Sequence, residues 1–231
     1  LTGNGHEIVD SEEEADAIVI NTCCFIHDAK EESVNTILEM AEYKKTGTCK
    51  ILIVTGCMAQ RYKEEITEEI PEVDAVLGTT SYGDIVKALN EAEAGHVFRE
   101  FKDINALPED SGRRVITTGG HFGYLKIAEG CDKHCTYCII PSLRGKFRSV
   151  PEERLLKQAE YMASQGVREL ILVAQETTVY GTDLYGKKTL HILLKKLCQI
   201  KGIRWIRVLY CYPEEIYDEL IQVMKEEKKI C

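Results

Sequence analysis

The chain has 231 residues, of which 44% are hydrophobic and 29% are charged, and its net charge is −9. This size and composition exclude a disordered tail and allow one large core or two smaller ones. Because no apolar run could cross a bilayer and no signal peptide is visible, we predict a cytoplasmic protein without membrane contact. Ten cysteines are too sparse for a disulfide scaffold. Their uneven clustering favours metal binding or catalysis.

Charge is distributed unevenly along the chain. Residues 1–122 carry 11 Lys and Arg against 24 Asp and Glu, a balance of −13, whereas residues 123–231 carry 18 against 14, a balance of +4. An acidic half binds polyphosphates poorly and would suit a basic partner, but a solvated acidic surface explains the pattern equally well. Charge alone therefore selects no partner.

The first half alternates short apolar runs with helical patterns. Strands are predicted at "ADAIVINTCCFI", "KILIVTGC" and "DAVLGT", and a helical segment follows each of them. Three βα units predict an α/β domain with a doubly wound, Rossmann-like parallel sheet. The periodicity fades between Gly95 and Gly120, where turn formers and charges dominate. We therefore predict an N-terminal domain over residues 1–95 and a linker over 96–122.

The second half repeats the alternation. Strands are predicted at "GYLKIA", at "VRELILVAQETTVYG", which includes the following loop, and at "IRWIRVLYCYPEE". Helices are predicted after Pro151, at "LHILLKKLCQIKG" and at "IYDELIQVMKEEKK". Three βα units begin a β/α barrel but cannot close one. Residues 123–231 are therefore predicted to form the first half of a barrel whose last strands lie beyond Cys231. Since the chain opens on Leu1 rather than Met, we expect it to be truncated at both ends.

Three cysteines cluster directly after the first strand of the second half, in "EGCDKHCTYCIIPSLRGK". A structural zinc site needs four ligands, and His134 is awkwardly spaced to join Cys131, Cys135 and Cys138 as the fourth. A cubane iron–sulfur cluster is commonly held by closely spaced thiolates of one loop, and three of them leave one iron open to substrate. The carboxyl edge of a β/α sheet is also where active sites are built.

This CxxxCxxC motif and its position resemble the radical S-adenosylmethionine (SAM) superfamily. The resemblance implies a radical SAM β/α partial barrel with a [4Fe-4S] cluster on the three motif cysteines. In that superfamily the free iron chelates SAM, and reductive cleavage yields a 5′-deoxyadenosyl radical. The candidates for further SAM contacts are Tyr137 near the adenine, Gln175 and Glu176 after the second strand, and Arg144, which suits a carboxylate. As a bare aromatic, Tyr137 fits a core position equally well.

Two further cysteines end predicted strands in the first half. Cys23 and Cys57 should meet at the carboxyl edge of the sheet, where ligands bind. The segments "NTCCFI" and "TGCMAQRY" resemble the N-terminal domain of the methylthiotransferases. That resemblance implies a second, auxiliary [4Fe-4S] cluster on Cys23, Cys57 and a third cysteine that is absent from this chain. Cys24 should face away from Cys23 on a strand, so we do not expect it to substitute.

The segments "IPSLRGKFRS", "VAQETTVYGTDLYGK" and "VLYCYPEEI" resemble the RimO type of methylthiotransferase. This resemblance implies methylthiolation of the β-carbon of an aspartate in small-subunit ribosomal protein number twelve. It also implies an electron donor such as flavodoxin or ferredoxin. Nucleic-acid contact is expected only through the ribosome or a missing C-terminal domain. The alternative is a MiaB-like enzyme acting on a modified adenosine of tRNA, a type that usually carries "GQN" where this chain has "AQETT".

Two hypotheses from other classes also follow from the cysteines. An iron–sulfur electron carrier would normally ligate every iron and needs no barrel. A zinc-binding interaction module would hold four ligands. Reconstitution with iron and sulfide, with and without SAM, distinguishes these hypotheses from a radical SAM enzyme.

Overall fold

The computed structural model describes residues 1–107 and 115–231. The chain divides into two compact units, of which the first comprises Leu1–Ser111 with His134–Arg144. The second comprises Gly112–Lys133 with Gly145–Cys231. Within the described ranges, every helix is too short or too polar to span a membrane.

The first unit is built on a parallel sheet of four strands in the order β1-β2-β3-β4. Its strands are β1 (Ala17–Thr22), β2 (Ile51–Gly56), β3 (Ala75–Leu77) and β4 (Phe98–Glu100). Its helices are α1 (His27–Thr46), α2 (Cys57–Glu69), α3 (Ile85–Glu93) and the short α4 (Ile140–Arg144). Single 3-10 turns lie at Thr2–Asn4, Glu12–Glu14 and Tyr82–Asp84.

Helices cover both faces of this sheet, as a doubly wound fold requires. On one face α1 and α2 pack their apolar residues, including Ile37 and Met58, against Leu52 and Val54 of β2. On the other face α3 packs against Ile53 and the rest of a smaller cluster. Side chains of a strand alternate between faces, so a strand buried along its whole length must be apolar throughout. Strand β2 is such a strand, and the predicted fold class is confirmed.

The second unit contains a three-stranded parallel sheet in the order β5-β8-β9. Its main strands are β5 (Phe122–Lys126), β8 (Glu169–Val173) and β9 (Trp205–Val208), and an antiparallel pair joins β6 (Ala128–Glu129) to β7 (Arg148–Ser149). Its helices are α5 (Glu152–Ser164), α6 (Thr182–Tyr185), α7 (Leu190–Cys198) and α8 (Asp218–Glu226), with a 3-10 turn at Pro213–Glu215. The βα alternation is the predicted opening of a barrel.

The core of the second unit lies between this sheet and its helices. Leu125, Leu172 and Ile206 of the three strands are fully buried in one hydrophobic cluster with Leu155 of α5 and Leu193 of α7. Burying one such side chain contributes about 2 kcal/mol to folding. These residues fall at the apolar positions that define the predicted strands and helices.

Three boundaries differ from the sequence predictions. Strand β4 lies inside the predicted linker and pairs with β3, because a three-residue strand is too short to show periodicity. The predicted strand "KILIVTGC" stops at Gly56, and Cys57 is the first residue of α2 instead. Residues 134–144 also pack with the first unit, although the predicted radical SAM domain begins at 123. The predicted linker falls partly outside the described residues, so the domain bounds stay a prediction.

Candidate functional site

The carboxyl edge of the first sheet carries two of the predicted ligand cysteines. Thr22 pairs with Gly56 in parallel register, so the next residues, Cys23 and Cys57, follow the same edge. The strands approach closely there: Gly56 has a φ of 98°, and a Cβ at that position would lie 2.4 Å from the Thr22 carbonyl oxygen. The Thr22 hydroxyl donates to the Thr55 carbonyl at 2.6 Å. Pairing of β1 with β2 therefore fixes the backbone positions from which Cys23 and Cys57 follow.

The neighbouring cysteines differ in exposure. Cys23 is exposed, and its N–H donates to Ser33 Oγ at 3.0 Å. Cys24 is only 2% exposed and lies in the hydrophobic core of the first unit. Burial raises the pKa of the Cys24 thiol, and the nearby Cys57 shifts it in the same direction. Cys24 is thus kept neutral inside the protein and is poorly suited to replace Cys23 as a ligand.

A second interaction reaches Cys57 from the cysteine loop. The Nε–H of Arg144 donates to Cys57 Sγ at 3.2 Å. Arg144 ends α4, and Leu143 beside it is buried in the same cluster as Met58 of α2. The sequence predicted that Arg144 contacts SAM or an anionic substrate; that role stays a prediction, and the structure adds the contact with Cys57.

In the second unit, a tight turn places Cys131 after β6. Gly130 has a φ of 76°, and a Cβ there would lie 2.1 Å from the Lys146 carbonyl oxygen, so only glycine fits. The N–H of Cys131 donates to the Gly145 carbonyl at 3.1 Å, and the N–H of Phe147 donates to Asp132 Oδ1 at 2.9 Å. The turn that carries Cys131 is therefore fixed by hydrogen bonds to residues 145–147.

Cys131 borders a cavity of about 280 Å³. Two lysines of its lining pair with one glutamate: Lys133 Nζ lies 2.5 Å from Glu215 Oε1, and Lys188 Nζ lies 2.9 Å from Glu215 Oε2. Hydrogen bonds from Lys133 and Lys188 lower the pKa of Glu215. A larger groove between α5 and α7, of about 580 Å³, contains no cysteine. The lining of the smaller cavity is Cys131, Asp132, Lys133, Phe147, Glu176, Val179, Thr182, Lys188 and Glu215.

Of the two residues predicted after β8, Glu176 lines this cavity, and Gln175 directly precedes Glu176 in the chain. Glu176 is 3% exposed, and its Oε1 accepts from the N–H groups of Thr178 at 3.0 Å and Tyr212 at 3.3 Å. Gln175 Oε1 is buried and has no hydrogen-bond partner. A buried polar atom without a partner costs about 1–3 kcal/mol, and a ligand donor would relieve that cost. Gln175 is therefore suited to contact a bound polar molecule.

The remaining motif residues lie on the loop that packs with the first unit. Cys135 and Cys138 are partly buried, and the Cys138 N–H donates to the Cys135 carbonyl at 3.0 Å. Tyr137 is 85% exposed, so it does not occupy a core position. Cys131, by contrast, belongs to the second unit.

The three motif thiols fit an iron–sulfur cluster in their chemistry. None of the ten cysteines, all of which lie in the described residues, forms a disulfide bond, and thiolates are the usual protein ligands of such clusters. Over residues 1–107 and 115–231, the structure does not gather three His, Cys, Asp or Glu side chains into a group able to hold a metal ion. The chemistry of the donor set nevertheless fits such a cluster.

Several residues of these sites were not predicted from the sequence. Glu215 lies in "CYPEE" after β9, and strand-end reasoning could have identified it. Lys133 lies inside the cysteine motif, and a positive charge at that place could have identified it as a candidate site residue. Lys188 could not have been identified from the local sequence, because its partner Glu215 lies 27 residues away.

Comparisons with known proteins agree with this architecture. The profile of uncharacterized protein family UPF0004 matches residues 1–78, and that of the radical SAM superfamily matches residues 125–230. Radical SAM methyltransferase TsrM from Kitasatospora setae, solved with cobalamin and a [4Fe-4S] cluster bound, has a similar fold. The TM-score is 0.60 at 10% identity, over 93% of this chain and 48% of that one. Residues 1–78 are thus similar to the UPF0004 family, and residues 125–230 are similar to the radical SAM superfamily.

The chain is also similar to curated proteins of one particular type. The ribosomal protein uS12 methylthiotransferase RimO of Lachnoclostridium phytofermentans is 66% identical over 100% of this chain and 52% of its own length. RimO of Clostridioides difficile is 52% identical with the same coverage, and RimO of Clostridium botulinum is 53% identical over 98% of this chain and 51% of its own. The predicted resemblance to RimO-type radical SAM methylthiotransferases is confirmed. The chain spans about half the length of these relatives.

Proposed function

We propose that the chain functions as a RimO-type radical SAM methylthiotransferase. Its substrate would be ribosomal protein uS12, and the product would carry a methylthio group on the β-carbon of an aspartate. The observation that carries this proposal is the cysteine motif that starts at the carboxyl end of β5, beside a polar cavity, in a chain 66% identical to a RimO relative.

Cys131, Cys135 and Cys138 would hold the radical SAM cluster through their thiolates. Cys23, Cys57 and a third cysteine absent from this chain would hold the auxiliary cluster. When bound, the first cluster supplies the electron that cleaves SAM, and the second supplies the sulfur site.

The chain's own residues would bind and orient SAM in the cavity. Gln175 Oε1 would accept a hydrogen bond from its amino group, and the buried carboxylate of Glu176 would favour that positive group. Lys133 and Lys188 form ion pairs with Glu215, so these three residues of the lining hold one another in place. Exposed Tyr137 would cover the adenine.

The remaining assignments follow from this function. The protein would act in the cytoplasm, where ribosomal proteins are made and thiols stay reduced. An electron donor of the flavodoxin or ferredoxin class would reduce the radical SAM cluster.

The decisive experiment replaces one motif thiol. After anaerobic reconstitution with iron and sulfide, Cys135→Ala should lose SAM-dependent spectral change and 5′-deoxyadenosine formation. Cys211→Ala is the matched control, because Cys211 is a partly buried cysteine outside the motif, and it should retain both signals. Undiminished 5′-deoxyadenosine in Cys135→Ala would contradict the proposal.

The substrate is tested separately with the reconstituted protein. Purified uS12 should gain a methylthio group detected by mass spectrometry, and a uS12 variant lacking the target aspartate should not. Modification of tRNA without modification of uS12 would instead identify a MiaB-like enzyme.

A further inference from the structure

The loop that carries two motif cysteines is anchored inside the first unit. Residues His134–Arg144 pack with the N-terminal sheet and its helices. Leu143 is 5% exposed and lies in one hydrophobic cluster with Met58 and Ala59 of α2, and Ile139 packs against the same cluster. The apolar part of the loop therefore belongs to the core of the first unit.

Thr79 makes a specific polar contact with this loop. It follows β3, is 3% exposed, and donates from Oγ1 to the Leu143 carbonyl at 2.9 Å. Its own N–H donates to Gln60 Oε1 of α2 at 3.2 Å, which fixes the threonine backbone. Because the bond to Leu143 is buried, its loss would leave a carbonyl without its donor.

Arg144 makes the second contact. Its Nε–H donates to Cys57 Sγ, and Cys57 is the first residue of α2, the helix on which Leu143 packs. Hydrogen bonds to a ligand sulfur orient that ligand and tune the metal it holds. The same short segment thus contacts the sheet edge through Thr79 and a predicted ligand of the auxiliary cluster through Arg144.

We infer that Thr79 and Arg144 are positioning residues for the motif loop. Thr79 holds the segment that carries Cys135 and Cys138 on the first unit, and Arg144 couples this segment to the Cys57 sulfur. Any change at Cys57 is thereby transmitted to the loop of the radical SAM motif. The catalytic purpose of this coupling rests on the proposed function, whereas the anchoring is a property of the metal-free chain.

The anchor is tested by amide hydrogen exchange of the full chain without metal. Thr79→Val removes the hydroxyl and should speed exchange in the peptide covering residues 139–145 about tenfold, since one buried hydrogen bond is lost. Thr79→Ser restores the donor and should return exchange to the wild-type rate. Thr80→Val is the matched control, because the buried Thr80 donates to the Lys102 carbonyl instead. It should leave exchange in residues 139–145 unchanged.

The coupling is tested by a double-mutant cycle with the same readout. Arg144→Met and Cys57→Ala should each speed exchange in residues 139–145, and the double variant should be no faster than the faster single one. Such non-additivity isolates the Arg144–Cys57 pair whatever else either residue contacts. The control cycle pairs Arg144→Met with Cys23→Ala. In that cycle the effects of the two substitutions on the logarithm of the exchange rate in residues 139–145 should be additive.

Three outcomes would overturn the inference. These are equal effects of Thr79→Val and Thr80→Val on the loop, failure of Thr79→Ser to restore protection, and additivity in the Cys57 cycle. None of these measurements needs a cluster. The inference can therefore fail while the protein still cleaves SAM, and it can hold in a protein that does not cleave SAM. As a second readout, the reconstituted Thr79→Val protein should lose its cluster absorbance to a chelator several-fold faster than Thr80→Val, because its motif loop opens more often.

Discussion

The two sets of cysteines are positioned by different means. Cys23 and Cys57 directly follow the paired ends of β1 and β2, so strand register places both. The motif cysteines follow only one strand: Cys131 is held in the second unit by a glycine turn, while Cys135 and Cys138 lie on a loop packed with the first. Strand pairing is a repetitive interaction that needs little from individual side chains. A loop depends on a few specific contacts, so single substitutions should affect it more.

The largest effect is expected at the glycine turn. Gly130→Ala forces a side chain into a left-handed conformation and against the Lys146 carbonyl, which should destabilise the second unit by about 3 kcal/mol or more. The fluorescence of Trp205, the only tryptophan in the chain, reports unfolding of β9 in that unit.

Two other glycines calibrate this prediction. Gly56→Ala meets the Thr22 carbonyl at the edge of the first sheet and should destabilise the first unit comparably, as measured by circular dichroism during denaturation. Gly83→Ala has nothing within 4 Å of the added Cβ and should be nearly neutral. A neutral Gly130→Ala would show that the turn is more adaptable than the strand edge.

A smaller effect is expected from the threonines that link neighbouring strand ends in each unit. The Thr22 hydroxyl donates to Thr55 O in the first, and the Thr177 hydroxyl donates to Leu209 O at 2.8 Å in the second. Replacing either threonine with valine should lower the free energy of unfolding by about 1 kcal/mol. Hydrogen exchange should show the loss in β1 and β2 for one variant and in β8 and β9 for the other.

The control for these variants is Thr46→Val, because the exposed Thr46 hydroxyl donates to a carbonyl within its own helix. It should change stability little. If Thr22→Val were equally silent, strand register alone would be sufficient to hold the edge beside Cys23 and Cys57.

The smallest effect is expected at the ion pairs of the cavity. Glu215→Gln removes the charge paired with Lys133 and Lys188 and should destabilise the second unit by about 0.5–1 kcal/mol at neutral pH. Because folding lowers the pKa of Glu215, this stabilisation is present above the ordinary pKa of a glutamate and is lost as the pH falls through the folded value.

The pH dependence provides the measurement. Denaturation midpoints at pH 7 and pH 3 should differ less for Glu215→Gln than for the wild type, and the exposed Glu214→Gln should behave like the wild type. An unchanged pH dependence in Glu215→Gln would exclude these ion pairs as a stabilising element.

The sequence by itself determined the order of strands and helices and the positions of the cysteines along them. Apolar runs such as that of β2, the alternation of strands with helices, and the spacing of Cys131, Cys135 and Cys138 are local patterns, and periodicity reports them directly. The convergence of Cys23 and Cys57 also followed from the sequence, because the carboxyl ends of adjacent parallel strands share one edge.

Only the tertiary structure decided which unit holds each part of the cysteine motif and which side chains support it. Thr79 and Leu143 are 64 residues apart, Arg144 and Cys57 are 87 apart, and Lys133 and Glu215 are 82 apart. Such contacts form where separate elements pack, and no local period encodes them. The sequence therefore identified the thiols, whereas packing of distant segments decided how each thiol is held.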